Sequence, residues 1–187
     1  MKFHIPLRLT KTATIAALFS VCLIGGRGAA AADPASVQEP IGPTETYSVS
    51  LAQAMKIIES GSEAARAHHL ALSFAVVDPG GHLIAAVRMD GAPFASLDFA
   101  RGKAFASVAL GGQSGSTLEQ RYKDDPSEYS NVSGAGYYAP FLPARGVLPI
   151  FSGGHLLGAV GASGAPSEID EQTVKGAIEA IGASTTR

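Results

Sequence analysis

The chain of 187 residues holds a single cysteine, Cys22, and it lies in the apolar stretch near the start. Beyond that stretch there is no thiol for nucleophilic or redox catalysis and none for a disulfide. Stability must then come from packing, and a domain of about 150 residues is large enough for one adequate core. Other chemistries are missing as well. The sequence has no Gly-x-Ser-x-Gly elbow, no Gly-x-x-x-x-Gly-Lys phosphate loop and no His-Glu-x-x-His. The glycine-rich 111–116 stretch has no following lysine and reads as a loop. Asp78, His82 and a serine can be written as a triad, but nothing in the sequence sets their geometry. No catalytic constellation is expected.

The first 32 residues follow the logic of a secretory signal. Lys2, Arg8 and Lys11 make a basic start, 12–25 is a nearly uncharged apolar stretch, and Ala30-Ala31-Ala32 offers small residues for cleavage before Asp33. The apolar stretch is shorter than the roughly 20 residues a spanning helix needs. Val21 before Cys22 is a poor fit to a lipid-attachment signal. Export to a periplasm or to the outside is the expectation, with no membrane span after cleavage. Cleavage removes Lys2, Arg8, Lys11 and Arg27 from fourteen basic residues and none of the sixteen acids, leaving a formal charge of −6. An acidic product without a basic cluster excludes nucleic-acid and anionic-lipid binding as its main business.

Two segments are near copies: Gly80-Gly81-His82-Leu83-Ile84-Ala85-Ala86-Val87 and Gly153-Gly154-His155-Leu156-Leu157-Gly158-Ala159-Val160. Each follows an apolar run and reads as strand, turn, strand. Two hairpins of one antiparallel sheet are predicted. Residues 33–48 read as a flexible leader. Ser50 and Gln53 match a capping box, and Leu51, Met55, Ile58 and Ala65 recur at helical spacing, so a helix should run to about His68 or His69. A second helix is expected over about 96–110 with Ser96 as its cap, and a short one over 117–122. Ser167 should cap a last helix that Gly182 stops. Four of the five tyrosines, at 122, 129, 137 and 138, fall in the loosely patterned stretch 113–145. They either pack that stretch onto the body or line a flat ligand.

Four ordered motifs carry a resemblance. They are Ala75-Val76-Val77-Asp78-Pro79-Gly80-Gly81-His82-Leu83, Arg88-Met89-Asp90-Gly91-Ala92, Lys103-Ala104, and Gly158-Ala159-Val160-Gly161-Ala162-Ser163-Gly164 with Asp170-Glu171. Together they resemble the GlcG/HbpS family over about residues 50–182. The chain then divides into a signal peptide at 1–32, a leader at 33–48 and a GlcG/HbpS-like domain at 49–187. The resemblance implies an α/β fold, an α-β-α sandwich around a five-stranded antiparallel sheet of profilin-like type. It also implies homo-oligomers from dimer to octamer and association with haem or a corrinoid. Exported members are similar to haem-binding and, in some cases, haem-degrading proteins; others accompany cobalamin adenosyltransferases or glycolate use.

Site residues follow from the letters one at a time. His82 stands at the family's Gly-Gly-His position, where a neutral imidazole can serve as axial ligand to haem iron or can simply bond its own turn. His155 repeats that position in the second hairpin. His68 and His69 end the first helix, where the dipole alone favours histidine, though His69 can also face a pocket. Lys103 lies among apolar and small groups and can meet a haem propionate, or bury its stem with the ammonium in water. Relatives run Lys-Ala-x-Thr-Ala where this chain has Lys103-Ala104-Phe105-Ala106-Ser107. If the threonine of relatives contacts iron, Ala106 has no hydroxyl to offer and Ser107 is about a quarter turn away. Tyr137 or Tyr138 can supply a phenolate, and Arg145 can hold a carboxylate in bidentate fashion. Two functions remain open: an exported haem-binding protein for capture, storage or protection, and an oligomeric accessory or small-metabolite-binding protein of the same fold without haem.

Overall fold

The computed structural model describes residues 45–129 and 140–187. The predicted hairpins are both present. β1 (Ser73–Val77) pairs antiparallel with β2 (Leu83–Arg88), and β3 (Val147–Ser152) pairs antiparallel with β4 (His155–Ser163). They join through β1 and β4, from Ser73↔Ser163 to Val77↔Ala159, giving the order β2-β1-β4-β3.

The near-identical turns differ in conformation. Gly153 and Gly154 both have positive φ, 57° and 80°, as a two-residue turn of the twist-matched hairpin kind requires. In the first copy Pro79 holds φ near −65°, so the loop widens to three residues and only Gly81 takes positive φ. The Gly81 N–H then donates to the Asp78 carbonyl at 2.9 Å.

Among the described residues the sheet has four strands, and the expectation of five is corrected. The edge beyond β3 carries only an isolated bridge, Phe151↔Ser184, with reciprocal backbone bonds of 2.8 and 2.9 Å. Pro149 in β3 brings no N–H to a ladder, which suits an edge strand. Where β1 ends, the free side of β4 takes one further bond, from the Val49 N–H to the Leu157 carbonyl at 2.8 Å.

Helices cover both faces of this four-stranded sheet. α1 (Leu51–Ala67) and α4 (Ser167–Glu179) pack on one face, where Ile57, Ile58, Val174 and Ile178 meet Phe74, Val76, Ile150 and Val160. α2 (Ser96–Ala109) covers the other, with Ala104 and Val108 against Val77, Val147 and Ala159. Alternation along β1 sends Phe74 and Val76 to one layer and Val77 to the other, and all five β1 residues are buried. The small residues of α2 serve close approach: a Cβ on Gly161 would lie 2.2 Å from the Ala100 carbonyl oxygen. α3 (Gly115–Asp124) and a 3-10 turn (Pro126–Tyr129) pack outside α2 through Phe105, Ala106, Leu118, Tyr129 and Phe141.

Local signals account for most helix ends. The Ser50 hydroxyl accepts from the Gln53 N–H at 3.2 Å and the Gln53 side chain accepts from the Ser50 N–H at 3.0 Å, a complete capping box. Two expected caps shift by one residue. Ala95 and Pro166 stand at the N-caps of α2 and α4, while the Ser96 hydroxyl is drawn to the Pro93 carbonyl and to Ser73. The apolar stripe of α1 is also rotated. Leu51 and Met55 are exposed, whereas Ala54, Ile57, Ile58, Gly61 and Ala65 face the sheet. Among the described residues no helix is long and apolar enough to cross a membrane.

Candidate functional site

α1 ends in an unusual way. The Leu70 N–H donates to the Ala65 carbonyl at 2.9 Å and the His69 N–H to the Arg66 carbonyl at 3.0 Å, the paired bonds of a Schellman ending. That ending needs a left-handed residue, usually glycine. Here His69 takes it with φ 57°, as the one non-glycine residue of positive φ among those described. A side chain there costs roughly 1–2 kcal/mol, and strain of this kind gathers at functional sites.

His69 lines a cleft of about 440 Å³ between the last turns of α1 and the end of β2. Arg66 and Arg88 line it with Asp90, giving two guanidinium groups to one carboxylate, and Leu70, Val87 and Met89 supply apolar surface. Arg88 is oriented by its Nη1, which donates to the Ala92 carbonyl at 2.9 Å. The Met89 sulfur accepts from the Leu72 N–H at 3.5 Å, tying the start of the Met89–Asp90 turn to β1. An imidazole, two cations and an apolar wall suit a flat ligand that carries a metal and carboxylates. His68 turns away and lines a separate cleft of about 450 Å³ beside α4.

The other sequence candidates lie elsewhere. His82 is exposed on its turn, where its N–H donates to the Asp78 carboxylate at 2.8 Å and its Nδ1 stands 3.2 Å from the second carboxylate oxygen. His155 starts β4 at the same end of the sheet, its ring stacked on Tyr47 with centroids 3.8 Å apart. β1 separates the two hairpin strands that carry them. Among the described residues no group of three or more His, Cys, Asp or Glu side chains is placed to hold a metal ion.

Lys103 is buried, and both of its sequence readings meet a third outcome. Its Nζ donates to the Ala162 carbonyl at 2.9 Å and to Asp170 Oδ2 at 3.2 Å, and Asp170 Oδ1 accepts from the Ala165 N–H at 3.2 Å. α2, β4 and α4 are thereby joined by one internal ion pair. Burial pushes the Asp170 carboxyl above its ordinary range, with Lys103 pulling it down. The Ser107 hydroxyl is buried and donates to the Gln113 carbonyl at 2.6 Å, holding the turn after α2. Ala106 is fully buried in the aromatic cluster outside α2. Arg145 bridges Glu168, at 2.8 Å, and Glu119, at 3.2 Å. Tyr137 and Tyr138 lie outside the described residues.

Of the candidate ligand residues named from sequence, His69 is the one among the described residues that lines the cleft; Arg88, Met89 and Asp90 are read from sequence as part of a motif and given no role. Arg66, Arg88 and Met89 were missed as partners because they reach it from two different elements, α1 and the end of β2, with β1 between them in the chain. Asp170 was seen only as part of a motif. One signal was readable: a histidine at the position after the helix where glycine is the usual residue.

Comparison with known proteins agrees with the fold. Residues 49–179 match the model of the family described as "Haem degrading protein HbpS-like". Protein GlcG of Escherichia coli (strain K12) is 34% identical over 112 residues, 59% of this chain and 77% of the relative. The crystal structure of a double mutant of Streptomyces reticuli HbpS is similar at a TM-score of 0.65 and 28% identity, covering 77% of this chain and 97% of that one. Klebsiella pneumoniae protein ORFY has a TM-score of 0.69 at 24% identity, with the same coverage, a likeness of fold.

Proposed function

The chain belongs to the HbpS-like family, and on that premise we propose that it is an exported haem-binding protein that holds the iron through His69 in the cleft at the end of α1. The observation that carries this reading is the histidine kept in left-handed backbone that lines a cleft with two arginines. The imidazole binds as the neutral form, and Arg66 and Arg88 take the propionates. Leu70, Val87 and Met89 exclude water from one face of the ring. When bound, haem supplies redox-active iron; the chain's part is to hold, orient and shield it, in capture, storage or protection. Export rests on the basic start and the apolar 12–25 stretch. Assembly into a homo-oligomer is supported by the β2 edge of the sheet and by Phe94 and Phe99, which are 89% and 52% exposed.

The test is a haem titration followed by Soret absorbance, comparing the parent with His69→Gly and His82→Ala. Glycine is the natural residue for the left-handed position, so His69→Gly removes the imidazole and keeps the fold. A one-to-one endpoint in the parent and in His82→Ala, lost in His69→Gly, is expected. Loss in His82→Ala alone moves ligation to the hairpin. A shallow rise that neither substitution alters removes the haem reading and leaves the cleft to a small anionic metabolite.

A further inference from the structure

Another cavity lies on the outer side of α2, apart from the His69 and His68 clefts. It measures about 560 Å³, within the range of small-molecule sites. Tyr129 and Phe141 are buried beside it, and Tyr122, 45% exposed, forms its wall. The Tyr122 and Tyr129 ring centroids are 6.3 Å apart with 27° between planes, and Tyr129 and Phe141 are 5.7 Å apart. Arg121 fixes the Tyr129 ring from its own side: its guanidinium carbon lies 5.8 Å from the ring centroid while the head pairs with Glu128. Among the described residues this makes an array of π faces that ends in the half-exposed Tyr122 ring, which is what a planar aromatic ligand stacks on.

The charges at the rim select among such ligands. Lys123 is 62% exposed and pairs with Glu119 at 2.7 Å. Glu119 also holds Arg145 through its second oxygen at 3.2 Å. If Lys123 turns to an incoming anion, Glu119 keeps a cation and the exchange strands no charge. These two cations together hold Glu119 ionised, below the ordinary carboxylate range, with the Lys123 bond as the largest cause. A negative group that draws Lys123 away leaves Glu119 its Arg145 partner, whereas a positive group that displaces Lys123 from Glu119 leaves the lysine without its acid.

We propose that this cavity binds a planar aromatic carboxylate of one or two rings, stacked on Tyr122 with its carboxylate on Lys123. The site is independent of the haem reading and stands or falls by a separate assay. The probe is 2-naphthoate, followed by its fluorescence anisotropy on the full chain. The parent should saturate at one naphthoate per chain. Tyr122→Ala, which truncates a half-exposed ring and spares the core, should weaken binding about two- to tenfold. Lys123→Gln should weaken it about two- to fivefold, and neutral 2-naphthol should bind parent and Lys123→Gln alike. His69→Gly should leave the naphthoate curve unchanged. A curve that fails to saturate, or one that saturates but is indifferent to Tyr122→Ala, overturns the proposal. So does loss of binding in His69→Gly, which would place the probe in the other cleft.

Discussion

Removing one member of the Lys103–Asp170 pair offers the sharpest check on how the three layers are held. Both groups are almost wholly buried, and the ammonium has two oxygens around it, Ala162 O and Asp170 Oδ2. Asp170→Asn keeps a side-chain acceptor for the Ala165 N–H but leaves the lysine charge without its counter-ion. Such a loss costs about 3–5 kcal/mol, which moves a urea midpoint down by roughly 2 M for a domain of this size. Lys103→Met leaves the converse problem, a buried carboxylate, and adds an orphaned Ala162 carbonyl. The double substitution removes both charges, so it should cost about 2–3 kcal/mol less than the sum of the singles.

The pH dependence of the pair carries a definite sign. The Asp170 carboxyl is already raised in the folded protein, by burial and against the pull of Lys103. A raised folded value means that its contribution to stability is complete below the unfolded carboxylate range and is lost as pH climbs through the folded value. Without the lysine the carboxyl rises further. The deficit of Lys103→Met relative to the parent should therefore be widest at neutral pH and shrink on acidification, by at most about 1.4 kcal/mol per pH unit. Urea unfolding of parent, singles and double across that range is the assay. Additive losses within about 0.5 kcal/mol, or a deficit that grows as the pH falls, would refute a coupled internal ion pair.

Four further outcomes follow from the same geometry. His69→Gly relieves a left-handed side chain and should raise stability by up to about 1 kcal/mol in urea unfolding, even as it removes the proposed iron ligand. Ser50→Ala deletes the capping hydroxyl and should cost about 1 kcal/mol, seen in the same measurement. Gly161→Val drives side-chain atoms into the Ala100 carbonyl of α2, so its thermal midpoint should fall by more than that of Ser50→Ala. Arg145→Ala breaks two partly exposed pairs and should cost no more than about 1 kcal/mol, a loss that added salt reduces.

Much of the fold was legible from local pattern. The duplicated Gly-Gly hairpins, the Ser50–Gln53 box and the apolar stripe of α4 each depend on neighbours within a few residues, and backbone sterics or one turn of helix decides them. The α1 stripe shows where that reasoning fails. Leu51 and Met55 fit the helical period as well as Ile58 does, yet they face outward. Periodicity gives a spacing, and which of two adjacent faces is buried depends on the surface it meets.

What the sequence by itself determined, then, is the kind and order of the elements, the family, and the absence of thiol chemistry in the domain, because these rest on residue type and short-range geometry. The tertiary structure alone decided the four-stranded sheet, since a ladder needs edge donors that Pro149 lacks and partners that only packing supplies. It also decided the fate of each charge. Lys103 looked like a ligand for an external carboxylate until Asp170, 67 residues away, was folded against it. His69 and Arg88 read as unrelated letters until the end of α1 was laid beside β2. A side chain's chemistry is set by its desolvation and its nearest opposite charge, and both are properties of three-dimensional neighbours.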